Sequence, residues 1–180
     1  VDRLEEIESI RTIYIVCYEN NPDVAELLKS NLEWMKKHSE KEISYELRQE
    51  NYILSQSENY NGTFSAELNP QKYDIVISNP PYIPTAEIEE LMDEVRLHDP
   101  RMALDGMEDG LYFYRAITKQ AKNYLVPGGW LIYEIGCSQG EDVAGLLQKE
   151  GFENIEIRQD LAGLDRVVLG RKNLQEEKHV

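Results

Sequence analysis

The runs Thr12–Tyr18 (TIYIVCY), Tyr73–Ser78 (YDIVIS) and Trp130–Ile135 (WLIYEI) are nearly unbroken stretches of β-branched and aromatic residues. A strand with one wet face alternates apolar and polar residues; a strand without that alternation is buried on both faces, as in a parallel sheet covered by helices. The segments between the runs carry helix signals. Asn21-Pro22-Asp23 opens one helix, with Pro22 in its first turn and Val24, Leu27, Leu28, Leu32 and Met35 along one side. Leu4, Ile7 and Ile10 mark a short helix face ahead of the first run. Leu111 to Leu125 is helical as far as the Pro127-Gly128-Gly129 turn, and Glu141 to Glu150 is closed by Gly151. Ile43 to Leu47 alternates as a further strand. FENIEIR and RVVLG are separated only by QDLAGLD, too short for a crossover helix, so they form an antiparallel pair. The pattern predicts an α/β fold: a doubly wound, mostly parallel sheet with a C-terminal antiparallel hairpin. Trp34 and Trp130 read as core residues.

Composition narrows the ligand classes. In 180 residues, 34 acids against 19 bases give a net charge of −15, which repels phosphate backbones, and no basic stripe offsets it. DNA is therefore the less favoured partner. No window approaches the roughly 20 apolar residues of a membrane-spanning helix. The first ten residues, VDRLEEIESI, hold neither a basic leader nor a small-residue cleavage site, so a cytoplasmic location is expected. Cys17 and Cys137 belong to no Cys-x-x-Cys pair, and His38, His98 and His179 are scattered. That spacing predicts two reduced core thiols, no disulfide framework and no metal.

In open α/β sheets ligands bind beyond the carboxyl ends of the strands. Asn79-Pro80-Pro81-Tyr82 follows one of the buried runs directly. Pro80 and Pro81 supply no N–H and fix their backbones, so the carbonyls of the turn are expected to stay free and aimed outward. Asn79 adds a side-chain carbonyl and Tyr82 a flat ring. Acceptors beside a stacking surface suit a planar NH₂ group whose two hydrogens must both be held.

Here the sequence resembles S-adenosylmethionine-dependent amino-methyltransferases, which act on a nucleobase amine or a glutamine amide. From about residue 73 to 171 it resembles the release-factor glutamine methyltransferase family. The segments that carry this resemblance are Glu94-Val95-Arg96, Pro100, Ala103-Leu104-Asp105-Gly106, Asp109-Gly110-Leu111, Tyr114, Glu134-Ile135-Gly136 with Gln139-Gly140, Asp160-Leu161-Ala162-Gly163 and Asp165-Arg166. The resemblance implies a Rossmann-like class I methyltransferase fold, S-adenosylmethionine as cofactor and a peptide-chain release factor as protein substrate. It makes Asn79, Pro80 and Tyr82 the catalytic residues, with Pro81 joining them in holding the substrate. Cofactor contacts fall on Glu19, Asn51, Tyr52 and Asn79. Glu19 closes the first run, where it either accepts hydrogen bonds from a ribose or supplies an ordinary N-terminal helix charge. Asn51-Tyr52 either holds an adenine or is a loop asparagine beside a core tyrosine. Residues 94 to 110 form a loop long enough to cover a substrate, and Glu94 and Arg96 could simply pair there. Glu134 could bind the amides of the Gly136 turn.

Two features depart from the family pattern. The Asp/Glu-x-Gly-x-Gly-x-Gly turn that ends the family's first strand is absent, so the fold is expected with its first strand missing. Unpaired strand edges then favour self-association. Residues 1 to 72, including the long polar stretch from 55 to 71, resemble instead the restriction-associated, adenine-specific DNA methyltransferases. The expected organisation is an incomplete methyltransferase catalytic domain over 1–171 and a polar tail over 172–180. The alternatives to glutamine methylation are adenine-N6 methylation of DNA and a catalytically silent fragment or binding module.

Overall fold

The computed structural model describes residues 12–19, 21–48 and 72–174. The helix expected over 4–10, the 55–71 loop, Asn51, Tyr52 and the end of the polar tail lie outside those residues. The chain divides into two compact units, Val1–Phe64 and Ser65–Val180.

In the first unit, strand β1 (Thr12–Tyr18), helix α1 (Pro22–His38) and strand β2 (Glu42–Arg48) form a βαβ arrangement, with the strands parallel and in register from Thr12 opposite Glu42 to Tyr18 opposite Arg48. Helix α1 starts where the Asn21 side chain accepts hydrogen bonds from the amides of Asp23 (3.0 Å) and Val24 (3.5 Å), and Pro22 needs no partner for an N–H it lacks. Lys36, Lys37 and His38 place positive charge in its last turn. The helix packs against β2, burying Ala25 and Leu32. Its expected apolar side is only partly covered: Val24, Leu27 and Met35 are exposed, because a two-stranded sheet covers a narrow strip of a helix. Trp34 is not a core residue. It is 63% exposed and stacks on His38 with ring centres 4.4 Å apart.

The second unit holds β3 (Tyr73–Ser78), a 3-10 turn (Thr85–Glu90), the one-turn helices α2 (Asp93–Arg96) and α3 (Arg101–Leu104), α4 (Tyr112–Tyr124), β4 (Leu125–Glu134), α5 (Gly140–Lys149), β5 (Phe152–Gln159) and β6 (Asp165–Lys172). The sheet order is β3-β4-β6-β5; β3 and β4 are parallel, while β6 runs antiparallel to both β4 and β5. The C-terminal hairpin is therefore present, and the described strands make parallel and antiparallel pairings alike. Tyr73 pairs with Leu125 but Ile75 with Trp130, so the Pro127-Gly128-Gly129 turn is absorbed as a bulge within β4. The Arg171 guanidinium donates from Nε to the Gly128 carbonyl (2.8 Å) and lies over the Trp130 ring, which is half-buried rather than enclosed.

The core is one face of this sheet. Leu131 and Tyr133 of β4 and Val168 of β6 meet Tyr114, Ile117 and Ala121 of α4 and Val143 and Leu147 of α5, all buried. Tyr114 and Tyr133 pack edge to face at 5.1 Å, and the buried Tyr133 and Thr118 hydroxyls are 2.9 Å apart. The expectation of two core thiols does not hold: Cys17 is half-buried and Cys137, in the turn after β4, is exposed. Among the described residues β1 has a strand neighbour only in β2, and β3 only in β4. Among the described residues no helix is long and apolar enough to cross a membrane, and no group of three or more His, Cys, Asp or Glu side chains is placed to hold a metal ion.

Candidate acceptor site at the ends of β3 and β4

Parallel pairing sets Ser78 opposite Tyr133, so the chain leaves β3 and β4 side by side at their carboxyl ends. From β3 it enters Asn79-Pro80-Pro81-Tyr82. Pro80 is buried, Pro81 and Tyr82 are half-buried, and Asn79 is exposed, with no hydrogen-bond partner for its amide among the described residues. The turn thus stands on an apolar foot and presents one amide outward. One of its carbonyls is not free as expected. That of Tyr82 accepts a hydrogen bond from Nε2 of Gln139 at 2.9 Å, because a buried donor reaches it from the protein side.

Beyond Tyr82 the chain is stitched to the end of the 94–110 segment. Ile83 donates to the Leu104 carbonyl (3.0 Å) and accepts from Gly106 (2.8 Å), and the Thr85 amide donates to Met107 (2.9 Å). Asp105 locks the seam. Its carboxylate accepts from the Thr85 hydroxyl (2.6 Å) and the Met107 amide (3.0 Å), and the Thr85 bond leads the causes that hold its pKa below the ordinary value. Contact is close enough to require glycine. A Cβ on Gly106 would lie 2.8 Å from both Cα and the carbonyl carbon of Tyr82, and Gly110, at φ 71°, faces the Tyr82 oxygen. The predicted covering loop therefore consists of α2 and α3 with its far end sewn to the acceptor turn. Arg96 pairs with Asp93 at 2.7 Å, not with Glu94. Ahead of α4, Asp109 accepts a forked pair of bonds from Arg115 (2.8 and 3.0 Å) and a third from the Leu111 amide, which hold its carboxyl down at about 2.

The exit of β4 is braced as tightly. Tyr114, its hydroxyl pushed up in pKa by burial, donates to the Glu134 carbonyl at 3.0 Å. Arg166 Nη1 reaches the Ile135 carbonyl (3.3 Å) and pairs with Asp160, whose carboxylate also takes the amides of Ala162 and Leu164. Glu134 does not bind the Gly136 amide. That N–H donates to Oε1 of Gln139 at 3.1 Å, and the Glu134 side chain is exposed. The motifs ALDG, DGL, EIG and QG thus lie against the Asn79–Tyr82 turn, and DLAG braces the exit of β4 through Arg166.

Asn79, Pro80, Pro81 and Tyr82 are brought together in one turn. Glu19 belongs to the other unit. It follows β1, and its Oε1 accepts the Asn21 amide at 2.8 Å, a bond that serves the start of α1. Of the residues expected to touch S-adenosylmethionine, Glu19 keeps an acid at the end of β1, and residues 1–61 hold no glycine for a close backbone approach. Gln139 was legible only as a letter in a motif. A buried side-chain amide that joins three loops has no periodicity and no charge to announce it.

The sequence pattern of the Eco57I restriction-modification methylase family matches residues 6–133. A release factor glutamine methyltransferase of Geobacter sulfurreducens is 50% identical over 112 residues, 62% of this chain and 39% of that protein. The chain spans about two-fifths of the length of the curated relatives it matches. Among solved structures, a methyltransferase from Pyrococcus furiosus superimposes with a TM-score of 0.51 at 12% identity, covering 96% of this chain and 82% of that one. An S-adenosylmethionine-dependent O-methyltransferase from Thermotoga maritima gives 0.50 at 10% identity, with 98% and 66% covered. The fold is that of the class I methyltransferases.

Proposed function

This chain belongs to the Eco57I restriction-modification methylase family, and we propose, from its acceptor turn and its release-factor-type relatives, that it carries the acceptor half of an S-adenosylmethionine-dependent N-methyltransferase whose target is the side-chain amide of a glutamine in a peptide-chain release factor. The observation that carries this reading is the turn itself, an outward Asn79 amide on a buried Pro80 foot. An amide nitrogen is a weak nucleophile because its lone pair is delocalised into the carbonyl. Acceptors at Asn79 and Pro80 would take its two N–H hydrogens and localise that lone pair, with Tyr82 stacked on the amide plane and Pro81 stiffening the turn. The donor would supply an electrophilic sulfonium methyl. Asn79, Glu19, Asn51 and Tyr52 are the residues proposed to touch the donor. A 50% identical relative named for release-factor glutamine methylation and the charge of −15 support a protein substrate.

The second reading, adenine-N6 methylation of DNA, is favoured by the family match over residues 6–133. Both are separated by supplying tritium-labelled donor to the chain, and to a form with a glycine-rich strand and turn fused ahead of Val1, in the presence of a release factor and duplex DNA. Label on the release factor and none on DNA is expected; label on adenine and none on protein overturns the reading.

A further inference from the structure

Gln139 sits where the turn after β4 becomes α5. Its backbone is fixed on both sides, by its own N–H to the Gly136 carbonyl (2.9 Å) and by its carbonyl accepting from Val143 (3.0 Å). The side chain is buried and projects among three loops. Oε1 accepts from the Gly136 amide at 3.1 Å, while Nε2 donates to the Tyr82 carbonyl at 2.9 Å and the Gly110 carbonyl at 3.3 Å. Only one orientation of the amide works, since the flipped form would set NH₂ against an N–H and an oxygen against two carbonyls. No other side chain of this length offers two donors and an acceptor without a charge.

We propose that Gln139 is the positioning residue of the acceptor turn, locking Tyr82, Gly110 and Gly136 into one unit so that the Asn79 and Pro80 acceptors hold a fixed direction. Its consequence for methyl transfer rests on the function proposed above; the lock itself does not. Carboxylate and hydrocarbon substitutions separate its parts. Glu at 139 can still accept from Gly136 but at neutral pH turns a negative oxygen toward two carbonyls, and Leu can do neither.

The test is amide hydrogen exchange on the full chain, without donor or substrate. In Gln139→Glu at neutral pH, protection at Ile83 and Gly106 should fall about tenfold, the equivalent of one net hydrogen bond. Gly136 should keep its protection in that variant, and protection at Ile83 and Gly106 should recover in part as pH falls and the carboxyl regains a donor. Gln139→Leu should lose all three. The β5–β6 amides should not change in either. Unchanged exchange at Ile83 and Gly106 in Gln139→Glu, or an equal loss throughout β5 and β6, would overturn the proposal, and Gln139→Glu decides it even if Gln139→Leu does not fold. In whichever form of the chain transfers methyl groups, Gln139→Glu should lower kcat with the donor KM unchanged. The exchange pattern without methyl transfer by any form would leave the lock standing and sink the functional reading instead.

Discussion

Both units contain a parallel strand pair joined through a helix, β1-α1-β2 and β3-α4-β4, yet the two helices are used differently. The 17-residue α1 buries Ala25 and Leu32, whereas the 13-residue α4 buries Tyr114, Ile117, Thr118 and Ala121. Helix signals do not explain the contrast, since α1 has the better N-cap: Asn21 caps it, while no side chain caps α4. What differs is the surface on offer. Strands β6 and β5 and helix α5 widen the second sheet into a layer that α4 can bury against, and the same layer holds the ends of β3 and β4 in place. Burial, rather than helix propensity, decides which half can support a precise site.

The largest effect should separate the two cores. Leu131→Ala, at a fully buried position, should cost about 2–5 kcal/mol of unfolding free energy, while Leu27→Ala on the exposed side of α1 should stay within about 0.5 kcal/mol. Equal losses in chemical denaturation would break the comparison.

The same division should appear in catalysis. In a form carrying a glycine-rich strand and turn, Asn79→Ala should cut turnover about 100-fold, far more than donor affinity, because the proposed function gives Asn79 a contact to the reacting nitrogen as well as to the donor. An equal loss of donor binding in titration would contradict the role at the acceptor nitrogen.

Strand edges with no neighbour among the described residues give a third contrast. Ile77, 72% exposed on β3, stands on a strand with one described neighbour. Self-association is expected in sedimentation velocity, and Ile77→Lys should reduce it, since a charge blunts an exposed edge. A monomer at all concentrations would remove this point.

The smallest effect concerns the brace at Asp109. Its folded carboxyl titrates at about 2, below an unfolded value near the ordinary carboxylate range, so its stabilisation is complete above that range and is lost as pH falls toward 2. In Arg115→Gln the Asp109 carboxyl, followed by carbon-detected NMR, should titrate closer to the ordinary value. An unmoved titration would assign the shift to the Leu111 amide alone.

Much of this was legible in sequence. The runs at Thr12–Tyr18 and Tyr73–Ser78 became strands with those bounds, and the hairpin followed from the shortness of QDLAGLD. NPPY could be read because proline chemistry acts locally. Trp34, Cys137 and the apolar side of α1 could not, since their burial depends on how much sheet lies against them. Gln139 escaped for a related reason: its three partners come from segments 57, 29 and 3 residues away. Only the folded chain brings them to one amide.

The proposed function gives this chain acceptor contacts at Asn79 and Pro80 and donor contacts at Glu19, Asn51 and Tyr52, with no glycine among residues 1–61 to cradle the donor. Isothermal titration of S-adenosylmethionine into the chain tests it most directly. Weak or undetectable binding is expected from an acid at Glu19 and the Asn51-Tyr52 pair without a glycine cradle; binding in the low micromolar range would contradict it.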